Sequence, residues 1–273
     1  MNRKITAKIT ALLCMIPLIF TACEGDSTVV RNDDGAAGGA ALTDDRATTV
    51  PEGLYTEDVE IKNFIMPVEG EDIAVITVKD YGVIKVKLFP VEAAKGTENF
   101  VGLANIDYYD ELIFHRVIKD FMNQGGDPRG NGTGGNSMWG DKFDGGIPEG
   151  LYHFSGAIAY ANSQGPTTNG SQFYIVNTPE GYVNAGGYTD ANGQPQTLTD
   201  LDQAGISMPA NVAAMYKEKG GVPFLDGGYT VFGQVFEGLD VVRAIGDTPV
   251  DADDKPLTQV LIESIEIVPY TAG

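Results

Sequence analysis

The stretch of sequence that decides the fold reads FHRVIKDFMNQGGD and runs from Phe114 to Asp127. It contains two β-type runs on either side of a Lys119-Asp120 turn, and in such runs successive side chains point to opposite faces. This alternation places Arg116 on the face opposite to His115. The residues predicted to share the arginine's face are Phe121, Met122 and Gln124. A cation beside an aromatic ring and a methionine is unusual in a core. It indicates a pocket with an apolar floor and one fixed fork of hydrogen-bond donors.

Strand-forming runs continue on both sides of this stretch. The run Val83–Leu88 alternates lysine with apolar residues, which is typical of a sheet with one solvated face. The residues Lys79–Gly82 before it are predicted to form a hairpin turn. The full set of runs predicted as strands is Ile73–Val78, Val83–Leu88, Leu112–Val117, Phe121–Gln124, Ser155–Ala161, Gln172–Val176, Tyr229–Val235 and Thr258–Val268.

Two short helices are predicted among these strands. One spans Glu98–Ala104 with Thr97 as its N-cap, and the other spans Glu237–Ile245 and ends at Gly246. Eight strands, two brief helices and glycine-rich connections favour a mainly β fold, a closed eight-stranded antiparallel barrel capped by the helices. Patterning alone leaves a β-sandwich as the alternative.

One long segment, Pro179–Val222, departs from the strand pattern. It is rich in Gly, Asn and Gln and then contains a predicted helix, Pro209–Lys219, with Ser207 as N-cap and Gly220 as stop. The narrow apolar face of this helix is predicted to consist of Ala213, Ala214 and Tyr216. We interpret the segment as an insertion on the barrel rim rather than a second domain. Because so long a connection usually has a function, we expect it near the pocket mouth, where it would influence substrate choice.

The N-terminus has the features of a secretion signal. A basic start is followed by the apolar run Ala11–Phe20, which is too short to span a bilayer, and small residues precede Cys23. The stretch resembles a bacterial lipoprotein signal, which implies cleavage after residue 22 and lipidation of Cys23. An ordinary cleaved signal with a free Cys23 thiol is the alternative. Residues 23–65, rich in Gly and Asp, are predicted to be a flexible acidic tether, and residues 66–273 the folded domain.

The charge balance limits the possible partners. The 273 residues include 18 Lys and Arg against 38 Asp and Glu, a formal net charge of −20. This argues against nucleic-acid binding and against direct contact with anionic lipid headgroups. We therefore expect an extracytoplasmic domain held at a bacterial membrane only through its lipid. Two cysteines are too few for a disulfide framework or a Cys-based zinc site, and the acidic run Asp251–Asp254 is interpreted as a solvated loop.

Three motifs, in this order, resemble the cyclophilin family of peptidyl-prolyl isomerases. They are the stretch Phe114–Asp127, the three residues Tyr160-Ala161-Asn162 followed by Asn169–Ile175, and the stretch Phe224–Gly233. The resemblance covers Ile73 to Val268 without the insertion. It implies that the chain isomerises X–Pro bonds in exported polypeptides and works as a monomer.

The resemblance also assigns individual residues. It implies that Arg116 is catalytic. The substrate-binding residues that it implies are Phe121, Met122, Gln124, Ala161, Asn162, Gln172, Tyr174, Phe224, Leu225 and Tyr229. Three of these depart from the usual family residue, since Tyr174 replaces Phe, Phe224 replaces the Trp of many eukaryotic members, and Tyr229 replaces a frequent His. The missing indole N–H at Phe224 argues against tight cyclosporin binding. His115 and His153 match positions that look structural.

Isomerisation of an X–Pro bond makes and breaks no covalent bond. We therefore expect no cofactor and no metal. The catalyst has to bind the twisted amide better than either planar form. The rival interpretation is a proline-peptide-binding or chaperone module on the same barrel, with little turnover.

Overall fold

The computed structural model describes residues 55–189, 195–197 and 201–272 of the chain. Its strands, in chain order, are β1 (Tyr55–Thr56), β2 (Asp72–Val78), β3 (Gly82–Leu88), β4 (Ile113–Phe114), β5 (Arg116–Ile118), β6 (Met122–Gly125), β7 (Ala157–Tyr160), β8 (Phe173–Val176), β9 (Gly187–Thr189), β10 (Pro195–Thr197), β11 (Met208–Pro209), β12 (Val231–Glu237) and β13 (Val260–Pro269). Its helices are α1 (Ala94–Ala104), α2 (Leu201–Ala204), α3 (Ala210–Lys219) and α4 (Leu239–Gly246), and short 3₁₀ turns lie at Pro166–Thr168 and Pro223–Leu225.

Nine of these strands form one antiparallel sheet in the order β4-β13-β2-β3-β12-β7-β8-β6-β5. The strands at the two ends of this order, β4 and β5, are consecutive in the chain and are separated only by His115. The sheet therefore curls into a nearly closed barrel. The predicted mainly β barrel is confirmed, and the β-sandwich alternative is wrong because the nine strands belong to one continuous sheet.

The eight predicted strands become nine because the run Leu112–Val117 is divided at His115. Phe114, before the division, pairs with Val260 of β13, whereas Arg116, after it, pairs with Gln124 of β6. The chain thus changes partner within two residues, and this bend brings the two edges of the sheet together.

Helix α1 packs against β12 and β13 and is longer than predicted. It begins at Ala94 rather than at Glu98, and the predicted N-cap Thr97 is a buried residue of its first turn. Ala93 occupies the N-cap position without a side-chain hydrogen bond. Burial of Phe100 in the barrel core, rather than a polar cap, therefore holds this helix.

The other helices also differ from prediction at their ends. Helix α4 begins at Leu239 rather than at Glu237, because Gly238 has a φ of +91°, and it includes Gly246. Helix α3 has Pro209 rather than Ser207 at its N-cap position, and it ends at Gly220 as predicted. The side chains buried by α3 are Val212, Ala213 and Tyr216, while Ala214 is exposed.

Aromatic side chains fill the barrel. The ring of Phe100 lies 5.2 Å from that of Tyr109, 5.6 Å from that of Phe173 and 5.0 Å from that of Phe232. The buried hydroxyl of Tyr160 donates a hydrogen bond to the carbonyl of Gly96 at 2.9 Å. The interior is therefore a packed core rather than a channel, and any ligand has to bind on the outer surface.

A second apolar cluster lies mainly in the insertion, and Ile61 of the segment 55–65 packs against it. Its buried members are Phe154, Val183, Ala185, Leu201, Met208, Val212, Ala213 and Tyr216. Strand β1 pairs in parallel with β11 of the insertion. The amide of Asn63, only 1% exposed, donates to Oε1 of Gln234 at 3.0 Å and to the carbonyl of Tyr152 at 2.9 Å. Residues 55–65, expected to be flexible tether, thus pack on the barrel, and the folded unit begins before residue 66.

The predicted signal peptide, Cys23 and the tether up to residue 54 lie outside the described residues. Within the described ranges, every helix is too short or too polar to cross a bilayer.

Candidate active site

The register of three strands places the key polar and aromatic side chains in one row. Arg116 of β5 lies opposite Gln124 of β6, and Gln124 lies opposite Tyr174 of β8. Side chains directly opposite each other in neighbouring strands point to the same face of the sheet. Met122 precedes Gln124 by two positions and therefore shares this face.

This row opens on a surface cavity of about 250 Å³. The residues that line it are Arg116, Phe121, Met122, Gln124, Ala161, Asn162, Tyr174, Leu225 and Tyr229. All nine are among the site residues predicted from the sequence. The cavity combines a buried apolar floor, formed by Met122 at 3%, Tyr174 at 4% and Leu225 at 8% exposure, with an arginine at its edge.

The Arg116 side chain is 44% exposed and contacts one carboxylate. Its Nε donates to Oδ2 of Asp254 across 3.3 Å, so that the pair joins β5 to the loop before β13. The terminal amino groups of the guanidinium are then the donors that remain for a substrate in the cavity.

Gln172 lies next to this cavity but does not line it. Its Oε1 accepts a hydrogen bond from Nε2 of Gln124 at 2.9 Å, and its own Nε2 donates to the carbonyl of Gly134 at 2.8 Å. It lines a neighbouring cavity of about 290 Å³ that shares Gln124, Ala161 and Asn162 with the first. Gln172 therefore orients Gln124 and lines the neighbouring cavity rather than the apolar one, and its role in substrate binding stays a prediction.

Phe224 is the other predicted residue outside the cavity lining. The residue is 41% exposed, and its ring lies 5.6 Å from that of Phe121 at an interplanar angle of 33°. Its side chain also lies close to Gly186 of the insertion. Phe224 therefore supports Phe121 from the outer side, at the boundary between the cavity and the insertion.

Asn162 lies two residues after the end of β7, and loop residues hold its side chain. Its Oδ1 accepts the N–H of Gly165 at 2.9 Å, and its Nδ2 lies 3.4 Å from the carbonyl of Gly228. The backbone N–H of Ala161 donates to the carbonyl of Gln172 at 2.9 Å. The amide of Asn162 is thus oriented before any substrate is present.

Behind the cavity lies a polar group that the sequence did not reveal. Nδ1 of His153 lies 2.7 Å from Oδ1 of Asp226, and Oδ2 of Asp226 accepts a 2.7 Å hydrogen bond from the hydroxyl of Tyr216. The His153 ring is stacked on that of Tyr174 at 6.0 Å and contacts that of Tyr229 edge-on at 6.2 Å. The one available signal was the position of Asp226, directly after the Phe224-Leu225 pair.

Two buried groups near the cavity have shifted ionisation. Burial raises the pKa of the Tyr174 phenol well above its ordinary value. Burial also lowers the pKa of His115, and the carboxylate of Asp127 only partly offsets that effect. In the part of the chain that the structure describes, neither ring nitrogen of His115 has a hydrogen-bond partner, and no group of His, Cys, Asp or Glu is placed to hold a metal ion.

Comparisons with known proteins identify the family of this chain. Residues 73–267 match the family model described as cyclophilin type peptidyl-prolyl cis-trans isomerase. A Staphylococcus aureus protein named a peptidyl-prolyl cis-trans isomerase is 42% identical over 200 residues, which cover 73% of this chain and 94% of that protein. A bifunctional phosphatase/peptidyl-prolyl cis-trans isomerase of Streptococcus pyogenes is 39% identical over 219 residues, and the match covers 79% of this chain and 43% of the relative.

The solved structures give the same result. A Cryptosporidium parvum cyclophilin type peptidyl-prolyl cis-trans isomerase, crystallised in the presence of the dipeptide Ala-Pro, matches with a TM-score of 0.53 and 30% identity. The match covers 73% of this chain and 99% of that one. The nine-stranded barrel, the family match and these relatives show that the chain belongs to the cyclophilin family and is a cyclophilin-type peptidyl-prolyl cis-trans isomerase.

Proposed function

We propose that Arg116 is the catalytic residue and that the proline ring of the substrate occupies the 250 Å³ cavity beside it. The observation that carries this proposal is the placement of one guanidinium at the edge of a floor formed by Met122, Tyr174 and Leu225. A pyrrolidine ring is apolar and rigid, so that such a floor holds it while the preceding carbonyl rotates.

The reaction requires stabilisation of a twisted amide. Rotation about the X–Pro bond has a barrier of ~18–20 kcal/mol because amide resonance is lost. In the twisted state the prolyl nitrogen becomes pyramidal and basic. A fixed guanidinium next to this nitrogen donates a hydrogen bond that either planar form accepts less well, and such differential binding lowers the barrier. Gln124 and Asn162 hold the flanking peptide by hydrogen bonds, so that the substrate enters in one orientation.

The substrates that we propose are proline-containing segments of exported proteins. The basis is the N-terminal sequence, in which a basic start, an apolar run and small residues before Cys23 match a lipoprotein signal. A lipid on Cys23 would hold the isomerase at a bacterial membrane, facing the extracytoplasmic space. Mass spectrometry of the mature N-terminus tests this, because a diacylglyceryl mass on Cys23 supports the anchor and an unmodified cysteine contradicts it.

The insertion is proposed to influence substrate choice. Nδ2 of Asn184 lies 3.3 Å from the carbonyl of Asp120, next to Phe121 of the cavity, and Gly186 lies against Phe224. These contacts support the proposal because Asp120 precedes Phe121 of the cavity lining and Phe224 packs on the same Phe121 ring, so that residues flanking the proline of a bound polypeptide would pass nearby.

A proline-limited refolding assay tests the enzymatic role. Wild-type protein should accelerate the slow refolding phase, and Arg116→Ala should lose most of the acceleration while its melting temperature stays close to that of wild type. Binding of proline peptides without any acceleration by wild-type protein would instead support a binding module. Gel filtration of the wild-type protein at several concentrations checks the proposed monomer.

A further inference from the structure

The contact between Arg116 and Asp254 lies beside the cavity rather than in it. Oδ2 of Asp254 accepts from Nε of Arg116 at 3.3 Å, and Asp254 is not one of the residues that line the cavity. The carboxylate therefore contacts the arginine without being placed to contact a proline ring. It belongs to the acidic run Asp251–Asp254, which the sequence alone presents as a solvated loop.

The loop that carries Asp254 is fastened directly to the arginine's strand. The carbonyl of Asp254 accepts the N–H of Val117, the residue after Arg116, at 2.8 Å. This backbone bond fixes the spacing between the loop and β5 at the point where the two side chains meet. The backbones that carry Arg116 and Asp254 are thus held next to each other, and the contact does not depend on the side chains alone.

The loop is also ordered by its own hydrogen bonds. Oδ1 of Asp251 accepts the N–H of Asp253 at 2.9 Å and that of Lys255 at 3.0 Å, and the N–H of Asp251 donates to the carbonyl of Lys255 at 2.9 Å. Asp254 itself has a φ of +61°, a conformation that Asp and Asn tolerate better than most residues. The backbone that carries the Asp254 side chain is therefore ordered by the loop itself and does not depend on the ion pair.

The Asp254 carboxylate matters because the Arg116 side chain is otherwise weakly restrained. Its side chain is 44% exposed, and an arginine in solvent populates many rotamers. Engagement of Nε selects the rotamers that place the plane of the guanidinium beside the cavity. An exposed ion pair of this kind contributes little to the free energy of unfolding, so that its effect falls on geometry.

We propose that Asp254 is a positioning residue for the isomerase reaction, which holds the Arg116 guanidinium in the orientation that meets the twisted amide. The proposal rests on the catalytic role of Arg116 proposed above. Asp254 acts only through Arg116, so that its loss reduces stabilisation of the twisted state and leaves ground-state binding of the peptide nearly unchanged.

The test compares kcat and KM of full-length variants on one proline peptide. Asp254→Ala and Asp254→Gly both remove the carboxylate, and the glycine variant accepts the positive φ if the alanine variant folds poorly. We expect kcat to fall roughly 10-fold to 100-fold, the scale of a misplaced reacting group, with KM within about 2-fold of wild type. Asp254→Asn keeps an oxygen acceptor and the backbone conformation and should recover most of kcat.

The matched control is Asp253→Asn, which removes the same charge from the same loop. Asp253 is exposed, and only its backbone N–H takes part in the loop bonding described above. Its kcat should equal that of wild type. An equal loss in Asp253→Asn would show a general charge effect and overturn the proposal, as would full kcat in a folded Asp254→Gly variant.

Two further measurements separate this proposal from that for Arg116. In an Arg116→Ala background, Asp254→Gly should cause no additional loss, because the positioning residue then has nothing to position. If Arg116→Ala alone keeps full activity, the proposed function fails, whereas activity lost in Arg116→Ala but kept in Asp254→Gly removes only the positioning role. The side-chain Nε–H resonance of Arg116 should shift in Asp254→Gly and stay in place in Asp253→Asn.

Discussion

The hydroxyl of Tyr216 donates a 2.7 Å hydrogen bond to Oδ2 of Asp226, and this bond joins the insertion to the loop at one wall of the cavity. Oδ1 of the same carboxylate lies 2.7 Å from Nδ1 of His153, whose ring is stacked on that of Tyr174 in the cavity. A continuous set of contacts therefore leads from helix α3 to the cavity floor. The insertion and the site are one structural unit at this point.

Tyr216→Phe should affect both stability and substrate binding. Tyr216 is fully buried, so that loss of its hydroxyl removes one hydrogen bond from a carboxylate, at a cost of about 1–3 kcal/mol in the free energy of unfolding. Because Asp226 also holds His153 behind Tyr174, we expect KM for proline peptides to rise by more than kcat falls. Steady-state kinetics and urea unfolding measure the two effects.

Tyr81→Phe is the matched control for this variant. Its hydroxyl donates to Oγ1 of Thr248 at 3.1 Å and takes no part in lining the cavity. It should lower stability slightly and leave KM unchanged. Equal KM values for Tyr216→Phe and wild type would show that the insertion does not reach the site through Asp226.

Replacement of Arg116 should separate charge from geometry. Removal of a single preorganised donor to a transition state costs about 10²–10³ in rate, and we expect Arg116→Ala to fall in that range. Arg116→Lys keeps the charge but lacks the planar fork and its Nε contact with Asp254, and should recover only a small part of the loss. Both variants should bind a proline peptide as wild type does, since the floor of the cavity is intact. Isothermal titration with the peptide checks binding, and recovery of full activity by lysine would contradict a geometric role.

Strands and motifs were readable from the sequence because their signals are local. The alternation of lysine with apolar residues in Val83–Leu88 and the residue types of Phe114–Asp127 depend only on near neighbours. The division of one predicted strand at His115 was not readable, since it depends on pairing with β13 on one side and β6 on the other. The same reason hid the anchored segment 55–65, whose Asn63 bonds to Gln234, 171 residues away.

The residues of the site were also readable only where their signals are local. Its lining residues lie in three motifs, and the resemblance of those motifs to the family implied that they share one site. Asp254 and Tyr216 lie outside those motifs, in an acidic loop and in an insertion, and only the folded chain brings them to Arg116 and Asp226. Phe224 was predicted from its motif to bind substrate, and the structure places it at the rim, beside Phe121 and Gly186.

The buried His115 should make stability depend on pH. Burial lowers its pKa below the ordinary value of 6.5, and the charged groups that act on it are Asp127, Arg116 and Lys255. As the pH falls below about 6.5, the unfolded chain takes up a proton that the folded chain resists, so that the free energy of unfolding decreases, by at most ~1.4 kcal/mol per pH unit. Above about pH 7 this contribution is fully present.

His115→Asn tests this dependence by removing the titrating group. Between pH 7 and pH 5 the variant should show a shallower loss of stability than wild type, measured by urea unfolding at each pH, whatever its absolute stability. Parallel curves for the two proteins would mean that His115 does not carry the effect.

Asn63 and Asn211 provide a matched pair for the anchoring of the N-terminal segment. The side chain of Asn63 is buried, donates to Gln234 and to the carbonyl of Tyr152, and accepts the N–H of Tyr152 at 2.9 Å. The side chain of Asn211 bonds to the same segment through the N–H and carbonyl of Val59, but at an exposed position. Water replaces the lost partners at Asn211 and is excluded at Asn63.

Asn63→Ala should therefore be far more destabilising than Asn211→Ala. We expect a loss of about 1–3 kcal/mol or more in the free energy of unfolding for the first, because several buried polar groups lose their partners, and under about 1 kcal/mol for the second. Urea unfolding compares the two, and limited proteolysis between residues 55 and 65 should become faster in Asn63→Ala. Since Gln234 lies in strand β12 of the barrel, similar small losses in both variants would mean that the segment rests on the barrel without stabilising it.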